Sequence, residues 1–366
     1  MSGLPAMDVA ARLPRLREQL DEARCDALLV THLTNIRYLT GFTGSAALLL
    51  VLPDAVVFVT DGRYGDQSRE QLAANGVEAR FEITATEQDA RLAAAARGIE
   101  RVGLESTHVT WSAKRRYNTK VFDGAAIVAT ENLVESLRAR KDEGEVARIE
   151  AACRIADDAL ASVLPRLKEE PSERDFGLEL DFTMRRLGAS DVSFETIVGS
   201  GPNGAKPHAR PTDRRIREGD LVVLDFGALL EGYHSDMTRT VAIGEPSATQ
   251  RRMDEVVRAS QAAGVAAVRP GVTGADVDRV CRDVIAEAGW ADAFLHGTGH
   301  GVGLDIHEDP RVATTATGTT LEPGHVVTVE PGVYLPEHGG VRIEDTVVVT
   351  EDGCRPLTTA PKELVL

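Results

Sequence analysis

The chain has 366 residues, 43% hydrophobic and 27% charged, a globular balance that excludes disorder as its main state and leaves room for two domains. Its formal net charge of −16 repels phosphate backbones and anionic surfaces, so neither nucleic acid nor a membrane is expected as a partner. The four cysteines are scattered, with no CxxC pair, which excludes a disulfide framework or a zinc knuckle. With no basic and apolar leader visible, they predict a cytoplasmic protein.

Residues 10–23 have helical spacing. Residues 26–30 (DALLV), 46–52 and 55–60 read as strands, the last two joined by a turn at Leu52-Pro53-Asp54-Ala55. Helical patterns at 67–74 and 87–97 alternate with strands near 78–83 and 101–104, which predicts a sheet with flanking helices and no chemical cluster. The character changes near Glu131, and residues 138–145 mark the boundary region. A first domain over 1–135 and a second over 136–366 are expected. The second block reads as a helix at 173–187, a strand ending in TIVGSG and a Pro-rich loop through Pro211. Strands follow at 221–226 and 237–243, then helices at 249–268 and 274–288. A Gly- and His-rich loop and strands at 326–330 and 342–350 close the chain. The fold class is α/β, in the α+β arrangement.

The second block contains an internal repeat. REGDLVVLDFG and LEPGHVVTVEPG each run from a glycine turn through a short apolar strand to an acid; Asp225 follows Gly219 by six positions, as Glu330 follows Gly324. Each copy is followed by a second acid beside a Val-rich strand, Asp236 in SDMTRTVAI and Glu344 in IEDTVVV. Carboxylates at the ends of apolar strands are expected to be buried, and buried charges need a cation or many donors. A turn-capping Asp would explain one of them. Four in two matched pairs point to divalent metal, and to two ions rather than one.

Three histidines fall within HGTGHGVGLDIHE: His296, His300 and His307, among glycines that let backbone approach a ligand. His208 sits in GPNGAKPHARP, a loop stiffened by prolines. Gly199–Gly204 matches GxGxxG, but a Pro-rich loop follows it instead of a helix; His307-Glu308 begins like HExxH, but position 311 is arginine. Neither a dinucleotide fingerprint nor a helical zinc motif is present.

The ordered set Asp225, Asp236, His300, Glu330 and Glu344 resembles the five-ligand dinuclear site of the pita-bread metallopeptidases. LDFGA, HSDMTRT, GTGHGVGLDIHE, VEPGVY and GGVRIEDT carry the likeness over residues 207–346. RYLTGFTGSAALLL and TDGRYGDQS resemble the N-terminal domain of the creatinase/prolidase branch. The resemblance implies a creatinase/prolidase-like first domain and a pita-bread catalytic domain with an internal pseudo-twofold. It implies two divalent ions per subunit, Mn²⁺ first, with Co²⁺, Fe²⁺ or Zn²⁺ as alternatives. Asp225 would be a bidentate ligand, Asp236 and Glu344 bridges, His300 a ligand of the other ion. Glu330 would bind that ion and act as general base. His208, His296 and His307 match supporting and substrate-binding histidines, and Arg342 an arginine supporting the site. A homodimer is implied as well.

The resemblance implies hydrolysis of peptides with proline at the second position, through a hydroxide bridging two metals. Aminopeptidase P, cutting the Xaa-Pro bond at the N-terminus of peptides, is the leading expectation, carried by FTGSAALLL and TDGRY. Prolidase, cutting only Xaa-Pro dipeptides, is the alternative; Arg311 in HEDPRV resembles an arginine of some prolidases and could hold a substrate carboxylate by a bidentate fork. Its plain alternative is a surface arginine after a turn. The third reading is a catalytically inactive peptide-binding protein, against which the complete ligand set argues.

Overall fold

In the computed structural model, residues 3–365 are described. They divide into two units, Met7–Arg138 and the chain from Ala139 onward together with the segment ending at Ala6. Among the described residues, no helix is long and apolar enough to cross a membrane.

In the first unit the apolar runs ALLV and LLLV become the two central strands of a six-stranded sheet. The strand order is Arg80–Ile83, Val56–Thr60, Leu48–Val51, Ala27–Val30, Arg101–Glu105, Ala126–Thr130. The turn at 52–55 closes an antiparallel hairpin, with the Leu52 N–H donating to Ala55 O at 2.9 Å. The outer pairs at both ends of the sheet are parallel, joined through helices. Periodicity does not predict the helix Leu33–Thr40, whose second half runs into RYLTGF. It has no capping side chain at its start and ends at Gly41 with φ of +74°.

The second unit is built from two similar halves. Helices Glu143–Val163 and Glu173–Arg186 pack with a three-stranded antiparallel sheet of order Met237–Ala242, Leu221–Phe226, Ile197–Ser200. Helices Ala248–Ala267 and Gly274–Glu287 pack with a five-stranded sheet of order Glu308–Val312, Gly299–Gly301, Val326–Val329, Asp345–Val349, Cys354–Pro356. Side-chain caps start all four helices: Asp142, Ser172, Ser247 and Thr273 each accept from a backbone N–H three residues on. The repeated strands occupy matching positions. Leu221–Phe226 lies antiparallel to Met237–Ala242, with Asp225 opposite Thr238, and Val326–Val329 lies antiparallel to Asp345–Val349.

The strand expected at 342–350 is shorter, Asp345–Val349, and Arg342 instead ends a separate strand before it. Gly339–Arg342 pairs with Gly332–Leu335, and Asp345–Val349 pairs with Val326–Val329. Ile343 and Glu344 belong to neither ladder; the Glu344 N–H donates instead to Thr238 O at 3.1 Å. That bond, with Thr346 Oγ1 donating to Asp236 O at 2.8 Å, ties the start of Asp345–Val349 to the edge strand Met237–Ala242 of the other sheet. Residues 342–346, RIEDT, contain no glycine, proline or asparagine to mark the step, and both strands are buried on each face, so no alternation shows where one ends.

Glu173 fixes the loop that carries His208. It is fully buried and accepts from Ser200 N (2.8 Å) and Oγ (2.7 Å), Thr212 N (3.0 Å) and Oγ1 (2.6 Å), and Asn203 Nδ2 (3.0 Å). Replacing Glu173 by Ala strands the two buried donors of Ser200, each worth about 1–3 kcal/mol, and frees the part-buried ones of Thr212 and Asn203. Urea denaturation of Glu173→Ala should show a loss of about 3 kcal/mol or more. An unchanged midpoint and slope would show that the hub contributes nothing.

Candidate metal centre

Four acids converge from the two halves. Asp225 lies next to last on its strand, Asp236 just before Met237–Ala242, Glu330 just past Val326–Val329, and Glu344 in the step between sheets. Oxygens of Asp225, Asp236 and Glu344 lie within 4.8 Å of one another. At an effective dielectric near 20, each such pair repels by roughly 3 kcal/mol. Burial adds to this, and it is the larger cause of the raised carboxyl pKa values. Asp236 and Glu344 are pushed well above the ordinary carboxylate range, and Glu330 is raised to about 8.

His300 joins them from the strand Gly299–Gly301. An added Cβ at Gly299 would lie 2.0 Å from Thr328 O, so glycine is required for this strand to approach its neighbour. The His300 Nδ1 donates to Gly301 O at 3.0 Å, which leaves the Nε2 lone pair free. That lone pair faces Asp236 Oδ2 and Glu330 Oε1, each 3.5 Å away. Burial lowers the His300 pKa to about 3, so a proton does not fill the gap near neutral pH.

The residues fit the implied metal. Glu344 is 1% exposed; its Oε2 accepts from Thr238 Oγ1 at 2.8 Å, while its Oε1 has no hydrogen-bond partner. A buried, unpartnered carboxylate oxygen beside an unprotonated imidazole nitrogen and three further acids calls for cations. Oxygen donors with one imidazole suit hard to borderline divalent ions. Arg342 is the cation in contact with the cluster, donating from Nη2 to Asp225 Oδ2 at 2.5 Å. With all four ionised, the carboxylates against one guanidinium would leave three negative charges, more than one divalent ion neutralises.

The cluster forms one wall of a cavity of about 490 Å³ that His208, His296, His307 and Arg311 also line. His307 stands edge-on to His300, with ring centroids 4.3 Å apart. His208, His307 and Arg311 are exposed at the mouth. His296 differs: its Nδ1 donates to Gly297 O and its Nε2 accepts from Tyr334 Oη, both at 2.8 Å. Arg342 Nη1 in turn donates to Tyr334 Oη at 2.7 Å. His296 therefore supports the site through Tyr334 and has no ring nitrogen left for a substrate. Arg311 lies on the strand Glu308–Val312 rather than in a turn.

The sequence pattern does not single out Tyr334, Thr238 or Thr328. Thr238 Oγ1 also accepts from Arg342 Nε at 3.0 Å, and Thr328 Oγ1 donates to Glu330 Oε1 at 3.3 Å. Their signal is adjacency: Thr238 sits opposite Asp225 in the ladder, and Thr328 is two residues before Glu330 on the same face.

A model of metallopeptidase family M24 matches residues 147–351, and one of the creatinase/prolidase N-terminal domain matches residues 12–140. An uncharacterised peptidase, YqhT, of Bacillus subtilis is 43% identical over 356 residues, 97% of this chain and 99% of that protein. A solved structure of an Xaa-Pro dipeptidase from Bacillus anthracis superposes with a TM-score of 0.94 at 39% identity, covering 98% of this chain and all of that one. An X-Pro aminopeptidase from Thermotoga maritima superposes with a TM-score of 0.87 at 33% identity, covering 97% and 99%.

The raised carboxyls set a pH test. His300 is already neutral in the folded chain over this range, and unfolded histidines, half-charged near pH 6.5, are common to loaded and chelated protein, so the acids dominate the difference. A group whose folded pKa is raised contributes stability that is present below its unfolded value, near 4.5, and is lost as pH rises through its folded one, about 8 for Glu330. In calorimetry, the gap in Tm between metal-loaded and chelated protein should widen from pH 6.5 to 8.5. A gap that narrows over that window would contradict the reading.

Proposed function

The chain belongs to metallopeptidase family M24, and from that membership we propose that it is an Xaa-Pro dipeptidase. The observation that carries the choice is Arg311. Its side chain is exposed, it lines the same cavity as the four acids, and it makes no hydrogen bond or ion pair with any described residue. A guanidinium so placed is available to the C-terminal carboxylate of a dipeptide. The likeness to the Bacillus anthracis dipeptidase supports the same reading.

The earlier leading expectation, aminopeptidase P, stays as the second reading. It is favoured by the first-domain motifs and by the likeness to the Thermotoga maritima X-Pro aminopeptidase. The dipeptidase reading fits the relatives as well or better.

In this proposal Asp225, Asp236, His300, Glu330 and Glu344 hold two divalent ions, Mn²⁺ first because the donor set is mostly carboxylate. The ions supply Lewis acidity to the scissile carbonyl and to the attacking water. Glu330, at the end of its strand and on the cavity wall, accepts the water proton and returns it to the leaving nitrogen. His307 and His208, on the open side of the cavity, stabilise the developing oxyanion. Arg342 and Tyr334 keep Asp225 and His296 in place. The proline nitrogen bears no N–H, so the leaving ring needs apolar walls, which Phe194, Pro207, Ile306 and Ala313 provide. The homodimer implied by the resemblance belongs to the same proposal.

Steady-state kinetics on Ala-Pro and Ala-Pro-Ala separate the readings. The dipeptidase hydrolyses Ala-Pro and refuses Ala-Pro-Ala. Arg311→Ala removes a charged hydrogen bond of about 1.5–3 kcal/mol, lowering kcat/KM for Ala-Pro roughly ten- to a hundredfold. Cleavage of Ala-Pro-Ala at least as fast, with Arg311→Ala silent, would establish the second reading instead. Removal of Met from Met-Ala-Ser, with Xaa-Pro substrates untouched, would overturn both.

A further inference from the structure

One buried ion pair lies outside the site just described. Lys141 Nζ is 3.7 Å from Glu308 Oε2, and the two side chains are 1% and 6% exposed. Neither residue lines the cavity. Buried pairs of this kind seldom stabilise a fold more than apolar side chains of the same shape would. Burial alone therefore gives no reason for this one, and its surroundings do.

Lys141 is held from both ends. Its N–H donates to Gly324 O at 2.9 Å and its Nζ to Ala139 O at 3.2 Å. Glu308 opens the strand Glu308–Val312, in register with Gly301. Its second oxygen, Oε1, accepts from the Asp305 N–H at 3.0 Å, closing the turn 305–308. His307 is the bend residue just before the strand; with the turn closed it lines the cavity, edge-on to the ring of His300. The packing leaves little slack. A Cβ at Gly303 would lie 2.2 Å from Glu308 Oε1 and 3.0 Å from Lys141 Cε, so a glycine there is what lets the pair pass beneath the loop.

We infer that Lys141 and Glu308 are positioning residues that set the reach of His307 toward the reacting centre. The inference rests on the reading that His307 acts on the substrate. Lys141 anchors one carboxylate oxygen, which aims the other at the Asp305 N–H. The closed turn then fixes the backbone from which the imidazole projects. Without the pair, the turn opens and His307 samples orientations away from His300.

A double-mutant cycle between Glu308→Gln and His307→Ala, with Ala-Pro as substrate and metal in excess, tests this. Glu308→Gln should lower kcat about tenfold in the parent enzyme and by less than about twofold in His307→Ala, because residues acting through one another are not additive. KM and bound metal should change little. If the unpaired Lys141 prevents Glu308→Gln from folding, Lys141→Met/Glu308→Gln removes both charges at similar shape and enters the cycle in its place. An equal loss in both backgrounds would overturn the inference and leave a purely structural pair. So would parent-like kcat in Glu308→Gln when His307→Ala is impaired. Full activity of His307→Ala would instead overturn the role assigned to His307, and the inference with it.

Discussion

Four carboxylates share one buried space with a single guanidinium, and the second unit is arranged around that arrangement. Repulsion of roughly 3 kcal/mol per close pair, added to burial, is a cost no folded chain carries without a compensating charge. The raised carboxyl pKa values show the strain of the cluster without cations. Protonation relieves it at low pH, and divalent ions relieve it at the pH where peptide hydrolysis is useful. Arg342 offsets only part, and it is spread over several partners: Asp225, Tyr334, Thr238 and Pro207 O.

The duplicated plan is what brings the acids together. Each half ends an apolar strand in a carboxylate and sends a partner strand back beside it. Joining the halves through Glu344 to Thr238 and Thr346 to Asp236 places one half's acids against the other's. The step at Ile343 and Glu344 serves the same end, since a Glu344 still in a ladder would spend its N–H on a neighbouring strand and not on Thr238.

Much of this was legible in the sequence, because one acid at the end of an apolar strand is ordinary but four in two matched pairs are not. Asp225, Asp236, Glu330 and Glu344 repeat at matched offsets, and His300 lies in a run of glycines that ordinary strands avoid. The supports were not legible. Tyr334, Thr238 and Thr328 are common strand residues, and their roles come from who stands opposite them in the fold. The split at 342–345 was hidden for a related reason: strands buried on both faces lose the alternation that marks where one ends. Arg311 was visible as a residue but not as an exposed guanidinium on the cavity wall. His296 was visible as part of a histidine cluster, and only geometry shows that Tyr334 and Gly297 occupy both of its nitrogens.

The central claim is that the buried acids exist to hold two divalent ions. Its most direct measurement is metal stoichiometry: titration of the chelated protein with Mn²⁺, followed calorimetrically and by elemental analysis, in the parent and in Asp236→Ala. The account predicts two ions bound per chain in the parent and the loss of both in the variant, because Asp236 faces the shared centre of the cluster. Binding of no ion, or two ions retained by Asp236→Ala, would contradict it.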